Sequence, residues 1–188
     1  MKRLLLILIL TFCFQSLTMA DDIRDFEIEG ISIGDSALDF FDKKEIKKNH
    51  AHDYKNKSFS DSWFRKDWFK TYDTIQTTYK LSDKKITIYG LDGTLKMNNT
   101  KCLKKQEQVN KEIQSIFNKK PVRTREVAHN YDKSGNSRVN EILFLFDNGY
   151  SRISCFDWSD KITKEKGWTD HLRVTVGSKE LGNFFNIF

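Results

Sequence analysis

One proline and three cysteines are all that this 188-residue chain contains of either residue. Nothing in it resembles a proline-rich linker, a low-complexity run or a clear internal repeat, so no composition shift divides it. There is no Cys-x-x-Cys pair, and two cysteines alone cannot complete a structural zinc site. Beyond residue 20 no stretch is apolar enough to form a transmembrane helix. Positive charge is not concentrated either. Lysines alternate with acids, as in Lys43-Lys44-Glu45-Ile46-Lys47-Lys48, which describes a solvated helix face. No nucleic-acid motif accompanies them, so nucleic acid is not an expected partner.

The first twenty residues are of a different kind. Lys2 and Arg3 form a short positive region, Leu4 to Phe14 is apolar, and Gln15 to Ala20 is polar and ends Thr18-Met19-Ala20. That is a signal peptide for residues 1–20, with cleavage after Ala20. The apolar run is too short to remain as a membrane span. Phe12 stands where a lipobox before Cys13 needs a small residue, so the product is an unlipidated periplasmic or secreted protein with no transmembrane segment after cleavage. Residues 21–188 are of a length for one domain with a single core. They carry 30 basic side chains against 26 acidic ones.

Cleavage removes Cys13 and leaves Cys102 and Cys155. An even pair in an oxidising compartment reads as a disulfide; two buried thiols are the competing reading. Cys102 belongs to the first turn of a helix expected over Lys101–Asn118, capped by Asn99 or Thr100. Cys102, Val109, Ile113, Ile116 and Phe117 form its apolar face. Cys155 belongs to the clearest hairpin in the sequence, Arg138 to Asp160, with a turn at Asp147-Asn148-Gly149. In its second strand Tyr150, Arg152, Ser154 and Phe156 share one face, and Ser151, Ile153 and Cys155 the other.

Further elements follow from pattern. A strand is expected near Glu27–Ile33, then Gly34 and a helix from Asp35 or Ser36 to about Lys48. Residues 49–61 are polar and loop-like, and Ser62–Lys70 fits neither period. Strands are expected at Thr74–Leu81 and Lys85–Leu91, with a turn or bulge at Asp92-Gly93 before Thr94–Met97. Others are expected at Thr124–Tyr131 and His171–Val176, and a last helix is capped by Ser178. Together these predict an α+β fold, a mainly antiparallel sheet of hairpins with about three packed helices.

Candidate chemistry is sparse. Gly34-Asp35-Ser36 resembles the nucleophile block of GDSL esterases, which implies Ser36 as nucleophile with a histidine base. That family has Asp-x-x-His near its C-terminus; here Asp170 and His171 are adjacent, and no histidine follows an aspartate by three. His50-Ala51-His52-Asp53 places two imidazoles at i and i+2, one face of an extended segment, and so offers part of a divalent-metal set. Asp132, Ser134 and Asn136 alternate like a calcium loop, but Ser137 and Leu143 stand where its glycine and glutamate belong; a turn with side-chain-to-backbone hydrogen bonds accounts for them. His129 is expected to be partly buried. No cofactor is implied.

Phe26–Phe41, FEIEGISIGDSALDFF, is similar to the strand–glycine–capped-helix opening of BamE/SmpA outer-membrane assembly lipoproteins and beta-lactamase-inhibitor-like modules, with Asp35 at their Met position. The combination of IEGISIGDS with Tyr131–Ser137, Cys155–Asp160 and Trp168–Val176 resembles an exported family of marine Pelagibacter-type alphaproteobacteria. That resemblance implies compartment and no activity. The expectation is an exported, non-catalytic binding or envelope-associated module whose partner is an unidentified protein or envelope component; the alternative is a Ser36 esterase.

Overall fold

A computed structural model describes residues 22–54 and 58–188; the expected signal peptide lies outside the described residues. Eight strands form one antiparallel sheet. They are β1 (His50–Asp53), β2 (Ser60–Phe64), β3 (Thr74–Tyr79), β4 (Ile88–Lys96), β5 (Arg123–Ala128), β6 (Arg138–Phe146), β7 (Gly149–Asp157) and β8 (His171–Ser178), in the order β1-β2-β3-β4-β8-β7-β6-β5. Four helices accompany them: α1 (Lys43–Lys48), α2 (Asn99–Phe117), α3 (Asp160–Lys166) and α4 (Lys179–Phe184). The fold is α+β, as expected. Only α2 is a long helix packed along the sheet. The other three have six or seven residues, so "three packed helices" overstates the helical layer.

The registers place Ile75, Leu91, Val174, Val176, Ile153, Cys155, Ile142 and Phe144 on one face. These residues are buried beneath α2 and the N-terminal segment and form the main core. Cys102 and Cys155 are joined by a disulfide with Cα atoms 5.8 Å apart, which fastens the first turn of α2 to β7. The buried seam of α2 is Cys102, Gln106, Asn110, Ile113 and Phe117. Ile116, expected on the apolar face, is 63% exposed. Gln106 takes an inward position because its Nε2 donates to the carbonyls of Asn140 and Ile153, each at 2.9 Å, and a buried amide with its bonds made is tolerated in a core. The helix is capped by Asn98, whose Oδ1 accepts from Lys101 N.

Other expectations shift. The strand near Glu27–Ile33 is instead a tight turn: Ile28 and Ile31 bridge across Glu29 and Gly30, both at positive φ. The helix expected from Asp35 or Ser36 to Lys48 is a 3-10 turn, Ala37–Asp39, followed by α1 with Asp42 as its own cap. Residues 49–61 hold β1 and the start of β2. Asp92-Gly93 is no turn, because β4 runs straight through it. Gly93 lies under the ring of Tyr72, where an added Cβ would stand 2.7 Å from the nearest ring carbon. The glycine serves close approach within a strand.

On the opposite sheet face, α4 and the residues after it pack against β4, β7 and β8. Gly90 and Gly177 are cross-strand partners there. A Cβ on Gly90 would meet Leu181 of α4 at 2.4 Å, and one on Gly177 would meet the Tyr150 ring at the same distance. The paired glycines let α4 and Tyr150 sit directly on the backbone.

Candidate functional site

The residues singled out in the sequence do not assemble into a reactive centre. Ser36 Oγ donates to Lys85 O at 2.6 Å and accepts from Leu38 N at 3.2 Å. Its proton goes to a carbonyl and its lone pair to a cap, and no histidine bonds to it among the described residues. The His-x-His segment is β1, and its register slips between His50 and His52. His50 pairs with Ser62 and His52 with Asp61, adjacent residues of β2 that face opposite sides, so the bulge sends the two imidazoles apart. His50 then meets Asp53 at 3.3 Å and His52 meets Asp61 at 3.3 Å. Among the described residues no group of three or more His, Cys, Asp or Glu is arranged to hold a metal. Asp132 accepts from the amides and hydroxyls of both Ser134 and Ser137 and from Ser159 Oγ, all at 2.6–3.0 Å. Those five donors make it the organiser of a turn.

The sheet face away from α2 carries a different set. From β2 and β3 come Asp61 and Gln76, from β4 Asp92, from β8 Arg173 and Thr175, from β7 Arg152 and Ser154, from β6 Glu141, and from β5 Arg123 and Arg125. Asp61, Gln76, Thr175, Ser154 and Glu141 are buried. Burying so many polar groups costs free energy unless each is bonded, and the carboxylates are bonded. Asp61 accepts from Tyr54 Oη at 2.8 Å, from His52 N at 3.0 Å and from Gln76 Nε2. Asp92 accepts from Thr175 Oγ1. Glu141 lies between Arg123 and Arg125, each at 3.1 Å, and Arg152 at 3.5 Å.

Arg173 is the exception. Its guanidinium stands over Phe156 at 5.0 Å and over Trp63 at 5.7 Å, a cation held between rings, and it forms no ion pair with another described residue. The Nε atoms of both Arg152 and Arg173 are buried without a hydrogen-bond partner. Arg152 also meets Glu141 through Nη1 at 3.5 Å, whereas Arg173 has no carboxylate partner among the described residues; a guanidinium edge matches the two oxygens of a carboxylate.

Two hollows occupy this face. One of about 360 Å³ is lined by Tyr54, Gln76, Asp92, Arg152, Arg173 and Thr175, with Tyr150, Leu181, Phe185 and Ile187 forming its apolar end. The other, about 440 Å³, runs from Arg152 past Glu141 and Ser154 to Phe156, Val127 and His129. Arg152 belongs to both. Beyond them lies an aromatic cluster in which Phe156 stacks on His171 at 4.5 Å and Trp158 contacts His129 at 4.5 Å and Trp168 at 4.7 Å.

Burial sets the charge state of the neutral members. His171 is pushed down to about 4, chiefly by burial, with its Nδ1 bond to the Thr169 carbonyl opposing and Arg173 reinforcing the shift. His129 is lowered by burial and then by Arg173. Burial, followed by the bond to Asp61, pushes the Tyr54 phenol well above its usual value; burial does the same to Tyr150. At neutral pH the His129 and His171 rings and the Tyr54 and Tyr150 phenols are uncharged.

A scan against protein-family models found no match, and neither did searches of curated proteins and of solved structures. The arginine face was partly visible in the sequence. The grouping of Tyr150, Arg152, Ser154 and Phe156 opposite Ile153 and Cys155 follows from alternation in β7. The same alternation in β8 sets Arg173 and Thr175 opposite Val174 and Val176. What alternation does not give is which strands become neighbours.

Proposed function

We propose that this chain is an exported module that binds a small hydroxylated carboxylate, a sugar acid by class, on the open face of its sheet. The observation that carries the reading is Arg173: a guanidinium on a largely buried polar face, held by two rings and without a carboxylate partner. Arg152 stands beside it as a second donor. Asp92, Gln76 and Thr175 line the same hollow and offer acceptors and donors for hydroxyl groups. Arginine with carboxylate gives the anchor, and neutral polar side chains with bonded carboxylates give the orientation.

Export is supported by the charged, apolar and polar regions of residues 1–20 and by the disulfide, which suits an oxidising compartment. No helix among the described residues is long and apolar enough to cross a membrane. The resemblance to an exported alphaproteobacterial family points to the same compartment, periplasmic or secreted. Binding without catalysis is the reading kept, because Ser36 has its hydroxyl engaged by main-chain groups.

The test is thermal denaturation of the mature protein with D-glucuronate, D-galacturonate, D-gluconate and D-glucose, repeated on Arg173→Gln. At a hundredfold excess over Kd a ligand stabilises by about 2.7 kcal/mol. At least one acid should raise Tm, glucose should not, and Arg173→Gln should lose the response while keeping its near-ultraviolet circular dichroism. No response to any of the acids, or an equal response from the variant, overturns the proposal.

A further inference from the structure

At the other end of the sheet, on the α1 side, lies a groove of about 570 Å³ between α1, β1 and the turn that follows β3. Its volume is within the range of small-molecule sites. Its exposed lining is mostly apolar. Ile46 and Tyr79 lie at its base and are each 3% exposed, and Leu81 on its wall is 53% exposed. Tyr79 turns its hydroxyl inward to Ser62 Oγ at 2.8 Å, leaving the ring to line the groove. Ile86 completes the wall. It is held at φ +52°, a conformation that a β-branched residue rarely adopts. Asp83 fixes that turn by accepting from the amides of Lys85 and Thr87 at 2.9 and 3.0 Å.

The rim is cationic. Lys43, Lys47 and Lys84 line the groove, are exposed, and form no ion pair with another described residue; Lys80 is taken by Glu180 at 2.5 Å. The two acids that line the groove are already engaged. Asp83 holds the turn, and Asp53 accepts from Ser60 Oγ at 2.6 Å and pairs with His50. Both carboxylates keep their charge, so with Lys80 offset by Glu180 the lining sets three unpaired lysines against two acids; an apolar trough with a net cationic rim is complementary to a molecule with a long apolar tail and one anionic head.

We propose that this groove binds a free medium-chain fatty acid, the acyl chain lying along Ile46, Tyr79, Leu81 and Ile86 and the carboxylate meeting the lysines. A membrane surface fits less well, because Ile46 and Tyr79 are at the bottom of the hollow and are reached only by a chain that enters it. The site is separate from the arginine face and does not depend on that reading.

Titration calorimetry of the mature protein with octanoate, decanoate and laurate, each below its micelle concentration, tests the proposal. Affinity should rise with chain length, by up to roughly fourfold per methylene where burial is complete. Lys43→Gln/Lys47→Gln/Lys84→Gln should weaken laurate by about tenfold and flatten the salt dependence. Glucuronate should not displace laurate, which separates the two sites. The proposal is overturned if laurate does not bind, if affinity is independent of chain length, if the triple variant binds equally, or if the protein is captured only by phosphatidylglycerol vesicles.

Discussion

Replacing both cysteines by alanine removes the one covalent link between α2 and the sheet. Cys102 and Cys155 are 53 positions apart. For a loop of that size the chain-entropy treatment gives about 4 kcal/mol of stabilisation at 25 °C, through the unfolded state. Both residues are 0% exposed, so lost sulfur contacts add about 1 kcal/mol. With an unfolding entropy near 2.1 cal/mol/K per residue over about 165 residues, a loss of 4–5 kcal/mol lowers Tm by roughly 12–14 °C. Urea denaturation supplies a second readout. The unlinked unfolded chain exposes more surface, so the m-value should rise together with the fall in midpoint. Either single substitution already breaks the bond, so Cys102→Ala and Cys155→Ala should each lose nearly as much as the double variant. A double variant within about 3 °C of the parent and with an unchanged m-value would refute the reasoning, as would single-variant losses that simply add.

Two further outcomes follow from the geometry. His171 sits at about 4 in the folded protein against an ordinary 6.5. Above pH 6.5 both folded and unfolded chains carry a neutral ring and stability is full. As the pH falls below 6.5 the unfolded chain takes the proton first, so stability should decline until about pH 4, where the folded state is protonated too. His171→Phe should flatten that slope in urea titrations between pH 4 and 7. Ser36→Ala loses a cap and the bond to Lys85 O and should cost about 1 kcal/mol. A fluorophosphonate probe should label neither parent nor variant; labelling of the parent that Ser36→Ala abolishes would restore the esterase reading.

The hairpin from Arg138 to Asp157 was legible because turn chemistry and alternation agree over nine residues on each side of the turn. The disulfide was legible because a helix face and a strand face each presented one cysteine. The segment from Glu27 to Phe64 was not. Its order comes from long-range contacts: Ser36 bonds to Lys85, the Glu29 carboxylate accepts from the amides of Lys70, Thr71 and Tyr72, and β1 exists through its pairing with β2. Local periodicity carries none of that. Gly93 misled for a related reason. It answers to the ring of Tyr72, twenty-one residues earlier, and resembles a turn residue only when its neighbours in space are unknown. The arginine face was legible strand by strand but not as a site, because it needs β7 beside β8 and β8 beside β4.

The most direct measurement is of the arginine side chains themselves. Nitrogen-15 spectra resolve the Nε–H signals of Arg152, Arg173 and Arg138, the last already paired with Glu126 at 2.8 Å. Titration with D-glucuronate should move the Arg152 and Arg173 signals along one saturable curve with a common Kd and leave Arg138 in place. If the Arg152 and Arg173 signals stay still, or if all three drift together in proportion to ionic strength, the open sheet face is not a carboxylate site.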